Sequence, residues 1–350
     1  MRIQKSKSPK RIRRPLMTYQ VETLGGLQTF LKDEFKRWKN PVSNMIDWDE
    51  SAIRVDYFGN PLDLTRLRTA VAVYRVEPFD IPRPKAFLGQ EHLTRLLKLI
   101  AEMQAWSTFH SFRLGAAGVE SSTFRRLAQE IEAKTGLPFD EKGELLIRFV
   151  PNGAHWDALF RMSARPLSAR SWRVGNMEGG LNAAVAAAMV DLGGICESDR
   201  VFNPMCGSGT LLIERRRLGM PQVLYGCDID AQALAFGYQN VAKSGYFKDI
   251  RLEQADATAL DCPKGQFDLI LCDLPWGDDI GSLAGNQILY PQFVREMARI
   301  SSKRARMVVL THDIRRFESV VEETGFWQIR KTHQVYHGGH HPKMYLLTKA

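Results

Sequence analysis

The sequence predicts an α/β protein whose second half is an open, mostly parallel sheet and whose first half is a smaller α+β region. Three observations carry this. From about Leu181, short apolar runs alternate regularly with helical patterns, as in strands joined by crossover helices. A glycine turn, Gly207-Ser208-Gly209, separates the first of these strands from its helix. Acids stand at or just past the ends of later strands, at Asp228, Asp256 and Asp273, and ligands of such sheets bind beyond the carboxyl ends of strands.

The elements follow in order. Residues 1–16 read as a basic tail: seven cations fall within the first 14 residues, with no acid and little that can pack. The tail is either a phosphate-seeking arm, whose cations gain affinity by counterion release, or a solvated terminus, with an organelle transit peptide as a third option. Tyr19–Leu24 reads as a strand, Leu27–Trp38 as an amphipathic helix, Ile53–Phe58 as a strand and Leu64–Val73 as a helix, which together make an α+β unit over 17–77. Pro78 to Pro84 holds three prolines in seven residues and reads as a linker, because each proline removes a donor and restricts its predecessor. A second unit over 85–174 has helices at Phe87–Ile100 and Ser122–Thr135 and strands at Phe109–Leu114 and Glu144–Val150.

The sheet domain spans 175–350. An Ala-rich helix at Leu181–Leu192 leads to a strand at Arg200–Phe202 and a helix at Thr210–Leu218. Strands follow at Val223–Cys227, Ile250–Glu253 and Asp268–Cys272, with a helix at Ala231–Lys243. A helix at Ile288–Ile300, a strand at Arg306–Leu310, a helix at Arg315–Thr324 and strands at Trp327–Tyr336 and Lys343–Leu347 complete the chain.

Composition narrows the function. No apolar run approaches the roughly 20 residues of a membrane span, and the N-terminus lacks the apolar segment of a secretory signal, so a cytoplasmic protein is expected. The net charge of +9 sits in the first half: residues 1–175 carry 29 Lys/Arg against 19 Asp/Glu, and the remainder is balanced, which points the first half at an anionic partner. The five cysteines form no C-x-x-C pair and have no histidine at zinc spacing. No metal site is expected, nor an iron–sulfur cluster with the radical chemistry it supports.

The chemistry lies in four loops. Asn203-Pro204-Met205-Cys206-Gly207-Ser208-Gly209-Thr210 gives a tight turn and close backbone approach to a ligand, or simply a helix entry; Leu212 breaks the dinucleotide pattern G-x-G-x-x-G. Asp228 can bind ribose hydroxyls, with Asp230 capping the next helix. Asp256 can accept from an adenine amine. In Asp273-Leu274-Pro275-Trp276-Gly277, the carboxylate and the Leu274 carbonyl can accept from an exocyclic amine as it pyramidalises, and Trp276 can stack on the base. Cys272 and Cys206 read as buried small hydrophobes rather than nucleophiles.

Asn203–Thr210 followed about 70 residues later by Asp273-Leu-Pro-Trp-Gly resembles the THUMP-domain-containing class I RNA methyltransferases, which include the tRNA guanine-N2 methyltransferases. Gly179-Gly180-Leu181-Asn182 looks like that family's approach to the cofactor loop. Ala164–Arg173 is similar to the run that closes its THUMP domain, and Tyr336-His337-Gly338-Gly339 resembles its C-terminal hairpin.

The resemblance implies a seven-stranded Rossmann-like methyltransferase domain, preceded by a ferredoxin-like unit and a THUMP-like RNA-binding unit. It implies S-adenosylmethionine as cofactor, held by Asn203–Thr210, Asp228 and Asp256 with their neighbours Asn182, Ile229 and Ala257. The target amine falls at Asp273, Leu274, Pro275 and Trp276. The RNA contacts fall at Arg165, Arg170 and Arg173, with Arg11, Arg13 and Arg14 of the tail. The expected substrate is guanine N2 in tRNA, with rRNA as another possible RNA, and the expected state is a monomer.

One departure stands out: Asn203 replaces the usual acid at the start of the cofactor loop, which removes a charge. Two alternatives stay beside the leading reading, the first because the loop at Asp273 suits other amines and the second because of Asn203. One is a DNA adenine or protein glutamine N-methyltransferase; the other is a non-catalytic RNA-binding protein with a degenerate loop. His337, His340 and His341 read as loop histidines near phosphate or solvent.

Overall fold

The computed structural model describes residues 17–38, 42–177, 179–275, 283–336 and 339–350. The tail arginines Arg11, Arg13 and Arg14, together with Trp276 and His337, lie outside the described residues. The chain divides into two compact units. The first comprises residues up to Val21, Phe35–Arg66 and Ala72–Arg165; the second comprises Glu22–Glu34, Leu67–Val71 and Pro166–Ala350.

The elements up to residue 165 are β1 (Met17–Glu22), α1 (Gln28–Lys36), β2 (Val42–Asp49), β3 (Ala52–Tyr57), the short α2 (Pro61–Leu64), β4 (Ala72–Phe79), α3 (Gln90–Trp106), β5 (Phe112–Gly115), α4 (Ser122–Thr135), β6 (Leu145–Asn152) and β7 (His155–Arg161). The seven strands form one continuous sheet in the order β2-β3-β1-β4-β7-β6-β5.

The sequence reading differs here in three places. Strand β4 occupies the end of the expected helix Leu64–Val73 and the start of the expected linker: Ala72–Val76 is buried throughout, and the strand pairs antiparallel with β7 from Tyr74↔Arg161 to Phe79↔Trp156. Strand β7 follows β6 through a two-residue turn in which Gly153 has φ +61°, the conformation such hairpins favour in glycine. Strand β2 is mostly exposed and offers no apolar stripe to read. Phe79, Phe87, Phe149 and Phe124 pack ring against ring across β4, the 3-10 turn Pro84–Leu88, β6 and α4.

The second unit continues with α5 (Ala183–Gly193), β8 (Arg200–Pro204), α6 (Thr210–Arg216), β9 (Val223–Asp228), α7 (Ala231–Ser244), β10 (Arg251–Gln254), β11 (Phe267–Asp273), α8 (Leu283–Ile300), β12 (Ser301–Thr311), α9 (Ile314–Thr324), β13 (Trp327–Gln334) and β14 (Lys343–Lys349). Its sheet runs β10-β9-β8-β11-β12-β14-β13. The first five strands in that order are parallel, and β14 is antiparallel to both β12 and β13.

This is the seven-stranded, Rossmann-like α/β arrangement. Alternate residues of the central strands enter two cores, one on each face. Val201, Leu269 and Leu271 pack with α5, α6 and α7, while Phe202, Ile270 and Cys272 pack with α8 and α9. Helix α5 is apolar nearly all round and accordingly buried. The strand order reverses between β8 and β11, and connections leave that point in opposite directions, which opens a crevice at the carboxyl ends of the strands. Among the described residues no helix is long and apolar enough to cross a membrane.

Candidate active site

A cleft of about 1210 Å3 opens at this crevice in the second unit. It exceeds the roughly 300–1,000 Å3 of an ordinary small-molecule site, which leaves room for a nucleoside and a second ring. The loops after β8, β9, β10 and β11 all contribute to its lining.

The first loop turns on two backbone positions, Gly207 at φ +49° and Gly209 at φ +77°, with Met205 also at positive φ (+56°). Pro204 ends β8, and Gly209 occupies the cap position before α6. The Gly207 N–H donates to Asp228 Oδ2 (2.7 Å) and the Asp230 N–H to Asp228 Oδ1 (3.0 Å), so one carboxylate joins two loops. Each oxygen keeps acceptor capacity for a ligand hydroxyl. Ile229, beside it, exposes two-thirds of an apolar side chain. Asp230 caps α7 through Gln232 N.

Asp256 accepts from Thr258 N (2.8 Å) and Thr258 Oγ1 (2.7 Å), both on Oδ1, and Ala257 is buried beneath it. Asn182 caps α5 through Ala184 N, and Ser208 and Thr210 share a hydroxyl contact of 3.1 Å. Cys206 lines the cleft with little exposure.

The sequence reading missed the residue that fixes the first loop. Asn240 of α7 is fully buried and uses its whole amide: Oδ1 accepts from Val174 N and Gly175 N, and Nδ2 donates to Gly175 O and Ser208 O. The signal was its place in the apolar stripe Ala233, Gly237, Asn240, Val241. Gly237 is required by proximity, since a Cβ there would lie 2.9 Å from the Gly207 carbonyl.

Asp273 ends β11 at the cleft, followed by buried Leu274 and by Pro275. The Pro275 carbonyl accepts from Tyr290 Oη (2.9 Å) and Asn286 Nδ2 (3.3 Å) of α8, and Tyr290 also meets Thr311 Oγ1 at 2.9 Å. These anchors fix the loop carrying the acceptors before any ligand arrives. Burial pushes the Cys206 and Cys272 thiols well above their ordinary pKa, and Cys227 up to about 12. None of the three is an activated nucleophile.

Asn203 stands at the cleft lining but is nearly enclosed. It is 1% exposed, and Nδ2 donates to Leu271 O (2.7 Å) and Pro204 O (3.1 Å).

The expected RNA contacts divide. Arg165 is exposed. Arg170 is a correction: its buried guanidinium is committed to Glu214, Leu167 O and Arg68 O, and it faces no solvent that a phosphate can occupy. Arg173 also turns inward, onto Leu181 O and Thr210 Oγ1. His340 lines the cleft with its ring edge-on to His312 (5.3 Å), and His341 lies edge-on to Tyr336.

Residues 170–343 match the family model UPF0020, described as an RMKL-like methyltransferase domain. This half of the chain belongs to that methyltransferase family. Among curated relatives, the tRNA (guanine(6)-N2)-methyltransferase of Archaeoglobus fulgidus is 29% identical over 207 residues, covering 51% of this chain and 50% of that protein. The enzyme of the same name from Thermus thermophilus is 28% identical over 227 residues, 64% of this chain and 67% of its own. The U6 snRNA (guanine-N(2))-methyltransferase THUMPD2 of Bos taurus is 35% identical over 99 residues, 28% of this chain and 20% of that protein. The chain thus spans half the length of the Archaeoglobus enzyme and a fifth of that of THUMPD2. Among solved structures, TrmN from Thermus thermophilus superposes with a TM-score of 0.77 over 95% of this chain and 100% of that one, at 22% identity, which establishes a common fold.

Proposed function

We propose that the chain transfers a methyl group from S-adenosylmethionine to the exocyclic N2 of a guanine in structured RNA, with tRNA the favoured substrate. One observation carries this: the loops bearing Gly207, Asp228 and Asp256 line the same cleft, at the strand-order reversal, as Asp273-Leu274-Pro275. The curated relatives named above are guanine-N2 methyltransferases of tRNA or U6 snRNA, which supports the choice of base and polymer.

The residues present fit the cofactor. Asp228 retains acceptors for two ribose hydroxyls, and the absence of a side chain at Gly207 leaves backbone at the cleft wall. When bound, S-adenosylmethionine supplies an electrophilic methyl group. The chain's own part is to hold the amine. Asp273 and the Leu274 carbonyl accept its hydrogens, so that positive charge developing on nitrogen meets fixed acceptors. Tyr290 and Asn286 hold that loop through Pro275, which limits reorganisation during transfer. The released proton passes to Asp273 or to water, and no histidine base is needed. The region 85–174 is the THUMP-like part that grips RNA in this reading.

The test is methyl transfer from labelled S-adenosylmethionine to separated tRNA, rRNA and DNA, with Asp273→Ala as control and nucleoside digestion of the product. N2-methylguanosine in tRNA, lost in the variant, is the expected result. RNA binding without label in any nucleic acid overturns the reading in favour of a non-catalytic binder.

A further inference from the structure

Strands β8 and β11 flank the cleft, and their backbone ladder is short. It registers Leu269↔Val201 and Ile270↔Phe202 and goes no further. Beyond that point each strand stays with its outer neighbour, β8 with β9 as far as Pro204↔Cys227 and β11 with β12 as far as Asp273↔Leu310. The two strands part, and the cleft lies where they do. Side chains continue the ladder across the gap: Asn203 Nδ2 donates to Leu271 O at 2.7 Å, and Cys272 Sγ to Pro204 O at 3.3 Å. Both side chains are essentially inaccessible.

We infer that Asn203 is a positioning residue for methyl transfer, a side-chain rung that sets the spacing between the cofactor-side loop of Asp228 and the amine-side loop of Asp273. The inference rests on the function proposed above. Its chemistry is particular to an amide. Both partners of Nδ2 are carbonyl oxygens, so the rung requires a donor. A carboxylate in its place would face two acceptors without a proton to give. The titratable groups that act on Cys272, the neighbouring rung, are Asp273, Asp228, Cys206 and Cys227, and Tyr290 of α8 in turn feels Cys272 and Asp273; no cation is among them. An aspartate introduced here therefore holds its proton to higher pH than usual and restores the rung only while protonated. The neutral residue at the head of the first loop is, on this account, a fitted part of the cleft.

The experiment compares the wild-type full chain with Asn203→Asp and Asn203→Ala between about pH 5 and 8, reading S-adenosylmethionine binding by calorimetry, single-turnover transfer and thermal unfolding. Asn203→Asp is expected to lose on the order of 10- to 100-fold in turnover at the alkaline end, with cofactor affinity changed much less, and to recover as pH falls. Its unfolding temperature should follow the same course. Asn203→Ala should lose turnover to a similar extent with no such recovery. Two results overturn the inference: Asn203→Asp matching wild type at every pH, or either variant losing cofactor affinity while the bound complex turns over normally. If wild type transfers no methyl group, the proposed function fails separately, and the unfolding arm still decides the rung: an Asn203→Asp stability independent of pH overturns it.

Discussion

Arg170 Nε donates to Glu214 Oε1 over 2.8 Å, with both side chains buried. Around them, Arg68 reaches Asp191 at 2.6 Å, Glu34 accepts from Arg68 N and Thr69 N, and Arg217 meets Glu214 at 2.9 Å. Three cations face three acids, so the cluster is balanced. Removing Arg170 takes one of two close cations from buried Glu214 and also strands the Leu167 and Arg68 carbonyls. Arg170→Ala is expected to cost about 3–5 kcal/mol of stability, read by urea unfolding. Loss of RNA affinity at unchanged stability would instead restore Arg170 as a phosphate contact.

At the start of β8, Arg200 holds Asp268 of β11 through Nε (2.8 Å) and Nη2 (3.0 Å), and this hydrogen bonding pulls the carboxyl down from 3.8 to about 2. A depressed folded-state pKa contributes stability above the unfolded value and loses it as pH falls through the folded one. Asp268→Asn should therefore be less stable than wild type above about pH 4, with the gap closing toward pH 2. Partial exposure keeps the effect small. Acid titration of both proteins checks the sign.

Tyr290→Phe removes the hydroxyl that Pro275 O shares with Thr311. Its expected cost is about 1–2 kcal/mol of stability, since the carbonyl keeps Asn286 at 3.3 Å. Turnover should fall while cofactor affinity holds, because the loosened loop carries Asp273 and not Asp228. Equal losses in both would place Tyr290 in the core alone.

Gly237→Ala sets two effects against each other. Alanine favours helix by about 1 kcal/mol. Its Cβ would press on the Gly207 carbonyl at 2.9 Å, and backbone cannot swing aside as a flexible side chain can. Cofactor affinity is expected to fall by about tenfold or more, a penalty of at least roughly 1.4 kcal/mol in calorimetry. An unchanged affinity would show that the first loop yields freely.

The second sheet was legible because its strands end in marked loops: glycines at 207 and 209 and acids at 228, 256 and 273 each announce a strand end on the ligand side. The first sheet was less so. Ala72–Val76 is buried on both faces, which erases the period-2 alternation that identifies a strand. The Asn152-Gly153 dipeptide was a hairpin signal that passed unread, and β7 went with it. Charge misled at Arg170, because a sequence gives the sign of a residue and not the acid waiting for it in space. Asn240 and Tyr290 are polar residues on buried helix faces, visible in principle as breaks in an apolar stripe.

The two short excursions of the second unit, residues 22–34 and 67–71, are stitched into the sequence between parts of the first. A protease or a gene break acting in the proline run near residue 80 would leave each fragment holding pieces of both units. That break would also part β4 from β7, baring a hydrogen-bonding edge on each fragment. The methyltransferase half therefore cannot be released intact by a single cut, and a duplication or fusion that borrowed it would have to carry its neighbour along.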